Sequence, residues 1–489
     1  MKQLVTAFLA AAFLFGGSAR AKVTLPSVIS DNMVLQQNAS VALWGWSDSG
    51  KNVSVTTGWD KKKTVATPDA FGKWMVRVAT PAGSAKAYDI TISDGEKLTL
   101  RNILVGEVWY CSGQSNMEMP VKGYPAQPAE GGTDAILAAR PERPIRICTI
   151  TKCSSTTVKE QTTGSWKLHS PEVVAETSAT AYFFADYLQA HIDVPVGILI
   201  TSWGGSSIET WMDRETIERD FPGEFDLSYL GQPWDKEKYG KKDHTLPCLL
   251  YNGQVNGLIP YTFKGMIWYQ GETNRARPEQ YLRLMQSYAK MMREKFQNPD
   301  APYYFVQIAP YHYDRLATQN SYVSGYLYES QQKASELIPH SGMAGTADIG
   351  EYGTIHPCKK RPVGQRLALL ALVKDYGFKG VDPVCPTYQS VTFDAGKATV
   401  RFKIDKMGLS PMGRNLGGFE IAGADKVFHE AQAILARDRH CVEVWSDEVP
   451  EPVAVRYCFR NWAVGSVFNN YGIPVAPFRT DNWSLEEAQ

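Results

Sequence analysis

The sequence predicts an α/β protein: a doubly wound parallel sheet flanked by N- and C-terminal all-β regions. Three observations lead there. Strand-like runs alternate with amphipathic helical runs through the middle of the chain, as they do when a parallel sheet is wrapped on both faces. Short alternating strands broken by turn residues precede that stretch, and similar strands follow it. The 489 residues give room for about three domains.

Taken in order, residues 1–21 stand apart. Lys2 gives a positive start, Leu4 to Phe15 is apolar except for Thr6, and Ala19-Arg20-Ala21 has small residues where a processing enzyme needs them. This segment predicts export, with cleavage near Ala21 and a periplasmic or extracellular product. Its apolar run is too short to span a bilayer, and no other stretch is long enough, so no membrane span is expected.

Residues 22–103 read as a small β domain. Val41 to Trp46, Val53 to Thr56, Trp74 to Val78 and Tyr88 to Ile92 alternate like strands, with turns at Asp48-Ser-Gly, Asp69-Ala-Phe-Gly and Asp94-Gly.

Residues 104–384 carry the α/β pattern. Strands are predicted at Ile103 to Tyr110, Val196 to Ile200, Gly265 to Tyr269 and Tyr303 to Ile308. Helices are predicted at Ala179 to Gln189, from Pro278, near Glu329 to Leu337 and near Pro362 to Lys374. In the helix from Pro278, the residues Tyr281, Met285, Tyr288, Ala289, Met292 and Phe296 fall on one face. Residues 215–246, rich in charge, Gly and Pro, read as an insertion or lid. From 385 to 489 strand signals return, as in Ala398 to Ile404 and Val442 to Trp445.

Composition narrows the function. A content of 44% hydrophobic and 21% charged residues excludes disordered and fibrous classes. Lys plus Arg (51) balances Asp plus Glu (51), so the basic footprint of a nucleic-acid binder is missing. The 13 Trp and 24 Tyr suit sugar faces and large cores alike. Eight cysteines at wide spacing form no CxxC pair. Cys148 with Cys153 and Cys441 with Cys458 are spaced for local bridges, and buried free thiols fit the same pattern.

Ligands of a doubly wound sheet bind at the carboxyl ends of its strands, and four polar clusters sit at such ends. Gly113-Gln114-Ser115-Asn116-Met117 sets a serine in a turn past a strand, although Met117 breaks the G-x-S-x-G elbow. Thr201-Ser-Trp-Gly204-Gly205 offers backbone amides for an anion. Trp268-Tyr-Gln270-Gly-Glu272-Thr-Asn274 places amide side chains at a strand end, and Ile355-His356-Pro357 supplies a base before the last helix.

In this order the four clusters resemble the SGNH-hydrolase superfamily, whose core is flavodoxin-like, and more closely the sialate O-acetylesterases. Ser30-Asp-Asn-Met-Val-Leu-Gln, Gly106-Glu-Val-Trp, Ser178 to Phe184, Gly364-Gln-Arg-Leu-Ala and Pro477-Phe-Arg-Thr-Asp extend the match nearly end to end. The resemblance implies an exported serine esterase that removes O-acetyl groups from sialic acids without metal or cofactor. Ser115 would be the nucleophile and His356 the base. The Ser115 amide, Gly204 or Gly205, and the side chains at Gln270 and Asn274 would form the oxyanion hole. The superfamily commonly has Asp three residues before the His, and here Gly353 stands there. Asp348 is the first candidate for the orienting carboxylate, Glu351 the second and a backbone carbonyl the third.

Two other readings compete. One is an esterase of acetylated xylan or another polysaccharide. The other, from a different class, is a non-catalytic carbohydrate-binding protein on a hydrolase scaffold, against which Ser115, Gln270 and His356 all argue. Oligomeric state is not encoded in these motifs.

Overall fold

In the computed structural model, which describes residues 23–241, 243–313 and 320–487, the central sheet is mixed. Its spatial order is Ser341–Ala344, Tyr303–Val306, Gly265–Tyr269, Lys97–Gly113, Val196–Ser202, Ile145–Thr149 and Trp166–Leu168. All neighbours are parallel except the last pair. The long strand Lys97–Gly113 shows why the sheet is buried on both sides. Val108 and Tyr110 enter one core, whereas Trp109 and Cys111 enter the other, the period-2 alternation of a strand covered on both faces.

Helices supply the covers. Ala179–Gln189 is capped by the Ser178 hydroxyl, which accepts the Ala181 amide at 3.1 Å. It shares a core with Lys360–Lys374 through Tyr182, Phe184, Leu188, Val363 and Leu367. On the other face, Pro278–Lys295 buries five of the six residues expected of it together with Leu284 and Met291, and the sixth, Phe296, is buried at its C-cap, alongside the helix Val323–Leu337. After Lys97–Gly113 the chain first builds strands on one side of it and later on the other. The topological switch therefore lies at the carboxyl end of that strand, where ligands of such sheets bind.

One strand crosses the expected boundary at 103/104. Its first half pairs with Ser84–Ser93 and Val34–Gln36, and its second half with Val196–Ser202 and Gly265–Tyr269. Val53, Val55, Ile90 and Ile92 accordingly share a core with Tyr110 and Trp268. The N-terminal strands thus extend the central sheet, apart from the antiparallel pair Ser40–Trp46 and Lys73–Ala79.

The C-terminal region forms two four-stranded antiparallel sheets and a two-stranded one around its own core. It is anchored by an Arg456–Asp481 pair with essentially no exposure. All eight cysteines are free thiols, so neither local bridge forms. Residues 1–21, on which the sequence predicts an export signal, lie outside the described residues. Among the described residues no helix is long and apolar enough to cross a membrane.

Candidate active site

Gly113 ends its strand at φ +147°, and a Cβ there would come within 2.1 Å of the Tyr269 carbonyl. Only glycine fits this close crossing. The chain then turns through Gln114 into the one-turn helix Ser115–Glu118. Ser115 opens that helix, so its amide lies in the first turn, where no intrahelical acceptor exists. The Gln114 side-chain oxygen accepts the amides of Gly271 and Thr273 at 3.3 and 3.4 Å, joining the serine turn to the Gln270 loop.

Ser115 and His356 line one cleft with Glu118, Tyr124, Gly204, Gly205, Glu272, Thr273, Arg275 and Tyr313. His356 is oriented by a residue that no sequence motif marks. Its Nδ1 donates to Oε1 of Gln127 at 2.8 Å, and the Thr354 hydroxyl donates to the same oxygen at 3.2 Å. Gln127 is itself placed by reciprocal backbone hydrogen bonds with Tyr124, both 2.9 Å. An Nδ1 proton held this way leaves Nε2 as the basic nitrogen. The Tyr124 ring meets the imidazole edge-on at 5.2 Å. Burial, and secondly the Lys360 charge, push the His356 pKa down to about 4, with Glu118 opposing. The ring is therefore neutral, and a competent base, across the physiological range.

Asp348, expected to orient His356, is placed elsewhere. Its two oxygens accept the Arg366 guanidinium at 2.8 Å each, and Arg366 also donates to the Gly345 carbonyl. The pair pins the last helix of the core to the loop after Ser341–Ala344. Glu351, the second candidate, accepts the Cys358 amide at 2.5 Å. A neutral carboxamide from a distant loop thus occupies the position expected of a carboxylate. At Gly353 an added Cβ would meet open space.

Of the residues expected at the oxyanion hole, Gly204 and Gly205 line the cleft, whereas the side chains of Gln270 and Asn274 are buried away from it. A Cβ on Gly204 would sit 3.3 Å from the Ser115 Cβ. Gln270, fully buried, donates to the Ser206 carbonyl at 3.2 Å and to Asn274 Oδ1 at 2.7 Å. Asn274 in turn accepts the Ile208 amide and donates to Glu209 at 2.8 Å. These amides brace the Gly204–Gly205 loop from behind. The Gly204 amide itself donates to Glu118 Oε2 at 2.5 Å, while Glu118 Oε1 pairs with Lys152 at 2.7 Å. Glu118 lies one turn beyond Ser115, which is the signal that could have marked it.

Behind the serine, Asn116 links two buried ionisable groups. It donates to Glu272 Oε1 at 2.6 Å and accepts from the Lys360 ammonium. Burial lowers the Lys360 pKa to about 7, and burial likewise raises that of Glu272.

A serine that shares a cleft with a neutral, oriented imidazole and two glycines brings together the groups that acyl transfer uses. The model of the carbohydrate esterase, sialic acid-specific acetylesterase family matches residues 105–369, more than half the chain. The chain belongs to this family. The esterase is 25% identical to mouse sialate O-acetylesterase over 89% of each chain. It is 26% identical to the human sialate O-acetylesterase over 73% of its own length and 71% of that protein. A carbohydrate acetylesterase from Xanthomonas citri has a crystal structure similar to this fold. The TM-score is 0.82 at 34% identity, over 94% of this chain and all of that one. The protein is thus a carboxylic ester hydrolase of the carbohydrate-deacetylating kind.

Proposed function

We propose that this esterase removes O-acetyl groups from sialic acids through an acetyl-Ser115 intermediate. The observation that carries the mechanism is Ser115 sharing a cleft with a His356 whose Nδ1 is held by Gln127. His356 Nε2 takes the Ser115 proton as Oγ bonds to the acetyl carbon. The tetrahedral oxyanion is met by the amides of Ser115 and Gly204, the latter released as Glu118 turns fully to Lys152. Collapse breaks the bond to the sugar oxygen, which receives the proton from His356. Water, deprotonated by the same nitrogen, then attacks the acetyl carbon, releasing acetate and restoring Ser115.

The sheet order and the place of the site at its switch point support an SGNH-type catalytic domain at 104–384, with β regions at 22–103 and 385–489. The sequence of residues 1–21 supports export with cleavage near Ala21. A second substrate reading is an acetylated polysaccharide such as xylan, since the neighbour with 34% identity is named a carbohydrate acetylesterase without a sialic acid being specified. Acetate release from a 9-O-acetylated sialic acid and from acetylated xylan, by wild type and Ser115→Ala, tests both. Faster release from the sialic acid, abolished in the variant, is the expected result. Faster release from xylan replaces the first substrate reading with the second, and undiminished release by Ser115→Ala refutes the serine mechanism.

A further inference from the structure

His356 hands its proton to the departing sugar oxygen, so the sugar leaves on the imidazole side of the cleft. Close to His356 along the chain lies an exposed aromatic group. Tyr352, four residues before His356 on the same loop, is 51% exposed. Its ring stacks on His312 with centroids 4.2 Å apart and planes 16° from parallel. Trp462 meets it edge-on at 5.5 Å and 82°. Both of its catalytic-domain members are near neighbours in the chain of residues that line the catalytic cleft. His312 adjoins Tyr313, which lines the cleft, and Tyr352 leads through Thr354, the partner of Gln127, to Ile355 and His356. Trp462 arrives from the C-terminal β region, where the Tyr311 amide donates to the neighbouring Asn461 carbonyl at 2.9 Å.

We propose that Tyr352, seated on His312 and buttressed by Trp462, is a stacking subsite for the pyranose ring of the substrate. A flat, half-exposed phenol held rigid by two other rings presents a preformed apolar face, and the C–H face of a pyranose is what such a surface covers without stranding hydroxyls. The inference rests on the carbohydrate ester reading above, and it makes the C-terminal β region part of substrate binding. Sialic acid and xylan both offer a pyranose, so both sugar esters are used in its test.

The test compares kcat/KM on each acetylated sugar with kcat/KM on ethyl acetate, which has no ring to stack. For Tyr352→Ala, and in the same direction for Trp462→Ala, the ratio of sugar ester to ethyl acetate falls about tenfold, through KM. Tyr352→Phe restores it, because the ring and not the hydroxyl does the stacking. The ester with the larger fall identifies which sugar occupies the subsite. An unchanged ratio for Tyr352→Ala on both sugars overturns the subsite while leaving the esterase reading intact. A wild-type enzyme that cleaves ethyl acetate and neither sugar ester overturns the substrate reading and the subsite together.

Discussion

In the proposed mechanism His356 acts as a base only while Nε2 carries no proton, a state favoured by its burial against Tyr124. With the pKa pushed down to about 4, the acid limb of kcat/KM should fall near pH 4. A limb near the ordinary imidazole value of about 6.5 in a pH–rate profile would contradict the assigned environment. The sign for stability follows. Between about 6.5 and 4 the unfolded chain binds this proton and the native state resists it, so the contribution of His356 to stability declines as pH falls through that window. Glu118 gives a second prediction at this scale. Its carboxylate holds the Gly204 amide that the oxyanion needs, and a negative charge there opposes the developing one. Glu118→Gln should raise kcat/KM in an acetate-release assay. A fall of about tenfold or more would show instead that the carboxylate is needed to shape the hole.

Among the elements, the loops at the strand ends carry the chemistry, and the network Gln270–Asn274–Glu209 holds the Gly204–Gly205 loop against the serine turn. Gln270→Ala leaves the Ser206 carbonyl without its buried donor and removes one of the two donors to Asn274 Oδ1, so kcat should drop by about 100-fold with KM little changed. A change in KM alone would contradict a role in placing the hole. The elements were largely legible from sequence because their apolar spacing is imposed by burial on both faces of the sheet. Ala179–Gln189 and Gly265–Tyr269 begin and end where the pattern predicts. Ser115, Gly204 and His356 were legible because each follows directly from an ordered motif. Gln127 was not, because a neutral residue in a loop bears no signature until the backbone pairing with Tyr124 brings it to the imidazole. Gln270 and Asn274 were found as residues and misplaced as atoms, since a motif does not say which way a side chain turns.

For the whole molecule, two β regions and one α/β core are tied together by shared structure. The strand Lys97–Gly113 makes the N-terminal strands part of the catalytic sheet. The C-terminal region docks on the helix Val323–Leu337 through Arg479 with Glu329 at 3.0 Å, and Tyr326 with the Trp483 carbonyl at 2.9 Å. Deleting 385–489 would uncover that helix and remove Trp462. The truncated protein should therefore be poorly soluble and lose sugar-ester activity despite retaining Ser115 and His356. A soluble, fully active truncation would contradict the docked role assigned to the region. The Asp348–Arg366 pair, only 12% and 10% exposed, acts at the same scale by pinning the last helix. Asp348→Asn should cost about 3–5 kcal/mol of stability, read as a lowered Tm.

In the proposed mechanism Gln127, and not Asp348, sets the working tautomer of His356. Acetate release by Gln127→Ala and Asp348→Asn, each corrected for folded fraction at a temperature well below its Tm, tests it most directly. The geometry predicts that Gln127→Ala loses about 100-fold in kcat, while Asp348→Asn stays within about threefold of wild type. The reverse ordering, with Asp348→Asn crippled and Gln127→Ala active, would contradict the account.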